Sequence, residues 1–65
     1  MNEIKEATIA RLAGIAHDRR QRYKMLGMMQ TSSDPEKARQ QVIDYELAYA
    51  ALLESEKELR EAQRT

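Results

Sequence analysis

Residues 34–63 of the chain read DPEKARQQVIDYELAYAALLESEKELREAQ. Alternating steps of four and three residues from Ala38 reach a series of mainly apolar positions: Val42, Tyr45, Tyr49, Leu52, Glu56, Leu59 and Gln63. Apolar residues at this spacing lie along one stripe of an α-helix, and in water another helix must cover that stripe. The stretch therefore predicts a long helix that packs against a second one.

The residues that precede this stretch predict the second helix. With Asn2 as its cap, it runs to about Met29 and carries a weaker apolar stripe: Ile4, Thr8, Leu12, Ile15, Arg19, Tyr23 and Leu26. The break at residues 30–34 supplies Ser33 or Asp34 as the next N-cap, and Pro35 suits the first helical position. So short a loop makes the two helices antiparallel neighbours.

We therefore predict an all-α, antiparallel two-helix hairpin that forms a single domain over residues 1–65. Its helices span about 2–29 and about 35–63, with the turn at 30–34. Folding this hairpin about Ser32 pairs Tyr23 with Val42 and Leu12 with Leu52. It also predicts that the Arg19 guanidinium lies on the Tyr45 ring and that Thr8 hydrogen-bonds Glu56.

A hairpin of 65 residues is marginally stable alone, because so short a chain buries only about 60% of the surface that it exposes when unfolded. The sequence contains no cysteine and one histidine, His17, which argues against disulfides and against a metal site. His17-Asp18 lacks the surrounding pocket that catalysis needs. We expect no catalytic residue, cofactor or metal, and a fold completed by oligomerisation or by a partner.

Some apolar residues remain unused when the hairpin closes. On the second helix they form a stripe rotated by more than 100° from the first one, and on the first helix they are methionines near the turn. They are the expected partner-binding residues: Met25, Met28, Ile43, Leu47 and Ala50. Methionine suits such adaptable surfaces. A homodimeric four-helix bundle would bury the same residues, so the partner is another protein or a second copy.

The charged residues leave a second hypothesis open. The net charge is zero, whereas proteins that bind nucleic acid usually carry a basic excess. A basic segment is nevertheless present, with Arg19 and Arg22 expected toward the seam and Arg20 and Lys24 away from it. Two copies of this segment in a dimer would make an RNA- or DNA-binding regulator. A structural homo-oligomer without a ligand is the third interpretation.

The sequence shows no apolar run of membrane-spanning length and no signal-peptide core at its N-terminus, so we expect no membrane association and a cytoplasmic location.

Residues 24–41, KMLGMMQTSSDPEKARQQ, allow a comparison with a known family. A methionine pair that ends one helix, a short polar turn with an aspartate, and a glutamine-rich start to the next helix resemble the small helical-hairpin co-chaperones of type III secretion needle proteins. In that family the hairpin packs on a larger helical-repeat chaperone, and together they hold the needle subunit monomeric. The resemblance implies a non-enzymatic adaptor or co-chaperone that presents an amphipathic helical face to a protein partner.

Overall fold

The computed structural model describes residues 3–64, which form two α-helices and no strand. Helix α1 spans Glu3–Met28 and helix α2 spans Pro35–Arg64. Contacts between Arg20 and Glu56, and between Tyr23 and Tyr45, show that the helices run antiparallel. The predicted all-α hairpin is thus confirmed. The predicted cap at Asn2 lies outside the described residues.

The turn between the helices is held by local hydrogen bonds. Asp34 is the N-cap of α2: its Oδ1 accepts from the Glu36 N–H at 3.0 Å, and its carbonyl accepts from the Ala38 N–H at 2.8 Å. Pro35 takes the first helical position, where its missing N–H costs nothing. Of the two predicted caps, Asp34 is therefore the one that the structure uses.

Gln41 fastens the turn to the body of α2. Its Oε1 accepts from the Ser32 N–H at 2.8 Å, and its Nε2 donates to the Gln30 carbonyl at 3.1 Å. One side chain thereby satisfies a donor and an acceptor of the non-helical backbone, which would otherwise depend on water. This clamp places Gln41 at the interhelical seam instead of on the solvent side.

The seam between the helices differs from the predicted stripe in α2. Tyr45, Leu52 and Leu59 face α1 as expected. At the seam positions between them, the residue that faces α1 is the one just before the predicted residue. The structure places Gln41, Ala48, Ser55 and Ala62 there, whereas Val42, Tyr49 and Gln63 are exposed and Glu56 is half-buried. The prediction was wrong by one residue at every second seam position, and each of these residues lies about 100° around the helix from the predicted one.

The seam is built on small side chains. Ala16, Ala48 and Leu52 are the buried apolar residues, and Ser55 is only 1% exposed. Alanine and serine at the contact let helix axes approach closely, because the axial separation depends on the side chains between them. On α1, the buried Ala16 takes the place predicted for Ile15, which is exposed, as is Ile4.

The register of the hairpin also differs from the prediction. Tyr23 meets Tyr45 instead of Val42, with ring centroids 4.7 Å apart. The Arg19 guanidinium donates to Ser55 instead of lying on the Tyr45 ring, and the Thr8 hydroxyl donates to the Ile4 carbonyl of its own helix. The contacts of Tyr23 with Tyr45 and of Arg20 with Glu56 therefore centre the hairpin a few residues beyond Ser32.

Gly14 and Gly27 offer a test of the packing between the helices. A Cβ added at Gly14 would meet nothing within 4 Å, so Gly14→Ala should raise the free energy of unfolding by about 0.5–1 kcal/mol through helix propensity alone. A Cβ at Gly27 would lie 3.1 Å from the Tyr45 ring, so Gly27→Ala should gain less or destabilise. Urea denaturation at one fixed protein concentration measures both. Equal gains would contradict the placement of Tyr45 against α1.

Candidate protein-binding surface

Most of the large apolar side chains lie outside the seam. Ten of them are exposed in the described part of the chain, against three buried apolar residues. Six of the ten lie in the half of the hairpin near the turn: Met25, Met28, Met29, Val42, Ile43 and Leu47. A single exposed apolar residue is ordinary, but a surface with more apolar bulk than the interior indicates an interaction site.

One side of the hairpin carries what we call the Leu47 flank, made of Ile15, Arg22, Ile43, Asp44 and Leu47. Arg22, Asp44 and Leu47 line a shallow groove of about 180 Å³ between the helices. Ile43 lies one turn before Leu47, and Ile15 lies two turns before Arg22, so both extend the same side. Leu47 is 63% exposed at its centre.

The other side carries the Tyr49 flank, made of Val42, Tyr49, Leu53 and the pair Arg20–Glu56. The Arg20 Nη2 and Glu56 Oε1 atoms are 2.8 Å apart and bridge the two helices. The Tyr49 ring leans on Tyr23, with centroids 5.3 Å apart. The charged groups of Arg20 and Glu56 and the Tyr49 ring on this flank therefore already have partners within the chain.

A larger groove of about 430 Å³ lies next to the turn, lined by Leu26, Gly27, Val42 and Tyr45 among others. The hydroxyl groups of Tyr23 and Tyr45 share a hydrogen bond of 2.8 Å beside it. That hydrogen bond, followed by burial and the neighbouring phenols, raises the pKa of Tyr23 above its ordinary value of 10.0. The folded hairpin thus favours the neutral phenol, a contribution present below pH 10.0 and lost as the pH rises through the raised pKa.

The five predicted partner-binding residues are exposed, but the structure does not bring all five together. Ile43, Leu47 and Ala50 share one side of α2, as predicted. Met25 and Met28 each lie two residues from a seam residue of α1, which places them on the side of that helix facing away from α2. One partner helix cannot cover both sets at once.

The four basic residues have different environments. The Arg19 Nη1 atom donates to the Ala51 carbonyl at 3.1 Å and to the Ser55 hydroxyl, so this guanidinium is engaged in the seam as predicted. Arg20 is paired with Glu56. Arg22 was expected toward the seam but is exposed at the rim of the groove, and Lys24 is exposed one turn after Arg20. They form no continuous basic stripe, which leaves the nucleic-acid hypothesis without support from the geometry.

Ser55, which accepts a hydrogen bond from Arg19, was absent from the predicted set of functional residues. Ser55 also donates to the Ala51 carbonyl at 3.0 Å, so its hydroxyl serves both helices. Ser55 lies seven residues after Ala48 and fourteen after Gln41, and this spacing of small or polar residues was the available signal.

The described residues contain no group of three histidine, cysteine, aspartate or glutamate side chains placed to hold a metal ion, and His17 is exposed. Within residues 3–64, neither helix has the length of apolar sequence that a membrane crossing requires. No protein-family model, curated protein or solved structure matches this chain.

Proposed function

We propose that this chain is a non-enzymatic protein-interaction module, an adaptor or co-chaperone that presents an amphipathic helical face to a protein partner in the cytoplasm. The observation that carries the proposal is an imbalance within residues 3–64, where three apolar residues are buried and ten large apolar ones are exposed. An isolated pair of helices with so small an interior gains little from hydrophobic burial. A partner that covers a flank would supply the missing burial.

The mode of binding that fits these surfaces is a helix laid along a flank, with apolar side chains buried and charges setting the register. The Leu47 flank offers Ile43 and Leu47 on adjacent turns, with Arg22 and Asp44 beside them. The resemblance of residues 24–41 to co-chaperones of type III secretion needle proteins supports the same class of function.

Leu47→Glu tests the proposal. Because Leu47 is exposed in the single chain and glutamate is a good helix former, the variant should keep the helical content of the dissociated chain. It should lose the rise of melting temperature with protein concentration that association produces. Circular dichroism melts over a concentration series measure both quantities.

Gln21→Glu is the matched control, since it adds the same charge at an exposed position on α1. It should behave as the unchanged chain. The proposal is contradicted if the unchanged chain melts cooperatively as a monomer at every concentration, because such a chain needs no partner.

A further inference from the structure

We propose that the Leu47 flank binds a second copy of this chain. In this two-fold symmetric dimer the two turns lie at the same end, and α1 of each copy packs against α2 of the other. The result is a four-helix bundle in which all neighbouring helices are antiparallel. The inference rests on the proposed function, and it names the occupant of the surface.

The exposed area of the hairpin shows how much surface an occupant must cover. The chain of 7.6 kDa exposes 5524 Å², whereas a compact folded chain of that mass exposes about 4,300 Å². The difference between these two exposed areas is larger than the roughly 800 Å² that each partner buries in a stable interface of standard size. A hairpin of 55 × 14 × 12 Å offers such an area along its length to another hairpin of the same length.

The Leu47 flank suits this interface better than the Tyr49 flank does. The ion pair of Arg20 with Glu56 crosses the Tyr49 flank and would have to be desolvated if a copy packed over it. On the Leu47 flank, Arg22 has no ion pair within the described residues, and Leu47 and Ile43 are exposed beside it. An acidic helix laid there would pair Arg22 and cover both apolar side chains.

The charges of the two helices select the arrangement of the copies. Helix α1 holds six basic and three acidic side chains, a net charge of +3, and α2 holds five basic and seven acidic ones, a net charge of −2. A dimer with its turns at the same end places each α1 beside the α2 of the other copy. With the turns at opposite ends, α1 would instead lie against α1 and α2 against α2, so that like charges face each other.

The position of the apolar side chains selects the same arrangement independently. On the Leu47 flank, the exposed apolar side chains of α2 are Ile43 and Leu47, and both lie in the half of the hairpin near the turn. When the turns lie at the same end, the two apolar halves meet. When they lie at opposite ends, each apolar half meets the charged half that contains residues 54–61, ESEKELRE.

Distances between spin labels test the arrangement directly. The chain has no cysteine, so Thr31→Cys places a single label on the exposed turn of each copy. Turns at the same end would put the two label sites roughly 10–20 Å apart, a spacing set by neighbouring helices. Turns at opposite ends would separate them by about the 55 Å length of the hairpin. Double electron–electron resonance of the labelled chain distinguishes the two, and the long distance overturns the proposal.

Two matched substitutions test the flank. Leu47→Glu should weaken dimerisation by at least about tenfold, because it puts a charge in place of a leucine that the dimer buries. Leu53→Glu makes the same change on the Tyr49 flank and should leave the dissociation constant within about threefold. Sedimentation equilibrium gives both constants. The reverse order of effects would assign the interface to the Tyr49 flank and overturn the proposal.

The remaining outcomes separate this inference from the proposed function. A chain that is monomeric and poorly helical at all concentrations overturns the dimer but agrees with an interaction module for a different protein. A dimer with a long distance between its turns also overturns the inference alone. A monomer that melts cooperatively overturns both.

Discussion

Replacing Leu52 by alanine is expected to lower the free energy of unfolding by about 2–5 kcal/mol. Leu52 is 6% exposed, and among the residues that the structure describes it is the one large side chain of the buried apolar set. Its truncation removes apolar burial and leaves a cavity that alanine and serine neighbours cannot fill. A single core in a chain of 65 residues rarely supplies more than about 3–5 kcal/mol, so the loss is a large fraction of the stability.

Leu53 provides the control because it is the same residue type one position later. It is 47% exposed, so Leu53→Ala should cost less than about 1 kcal/mol. Urea denaturation of both variants at the same protein concentration gives the comparison. Equal losses would show that the seam is not where the structure places it.

Replacing Ala48 by leucine is expected to destabilise the hairpin by about 1–3 kcal/mol, although leucine is the more hydrophobic residue. Ala48 is buried between the helices, close to Ala51 and to the Arg19 side chain along the same groove. The three additional carbon atoms of leucine must either push the helices apart or force the side chain out of its preferred rotamers. The hydrogen bonds from Arg19 to Ala51 and Ser55 would lengthen as the helices separate.

Ala10→Leu is the matched control on an exposed position of α1. Alanine and leucine are both good helix formers, so this variant should lie within about 0.5 kcal/mol of the unchanged chain. Thermal unfolding followed by circular dichroism measures both. A stabilised Ala48→Leu variant would instead favour the stripe through Tyr49 that the sequence predicted.

Local sequence signals predicted the architecture well because they act over a few residues. The apolar periodicity of residues 38–59 predicted α2, and the Asp34-Pro35 pair predicted where it begins. A cap and a proline act through the backbone of their own turn of helix, independent of what packs nearby. Short loops between long helices leave only antiparallel packing, so the hairpin followed from the same residues.

The seam could not be predicted in the same way, because two heptad patterns share Tyr45, Leu52 and Leu59. Hydrophobicity favoured the pattern that continues through Val42 and Tyr49. The structure uses the one through Ala48 and Ser55, whose small side chains allow closer packing and a hydrogen bond with Arg19. Close packing is a property of the pair of helices, which periodicity in either helix alone does not report.

The sequence predicted only part of the candidate site, again because periodicity in one helix does not report how two helices pack. Ile43, Leu47 and Ala50 were placed correctly on one exposed side of α2, since a shift of the alternate seam positions by one residue leaves them outside the seam. Arg20 was grouped with the other basic residues, but its pairing with Glu56 depends on the register of the two helices. That register follows from the start of α2 and the Gln41 clamp, which no single helix encodes.

We propose that this hairpin needs a second surface to be stable, and the absolute mass and helicity of the chain across one dilution series test this proposal. Light scattering and circular dichroism on the same samples should show dimers with high helicity at high concentration. Helicity should then fall as the dimers dissociate. A monomer that keeps its full helicity and a cooperative melt at the lowest concentration would contradict the claim.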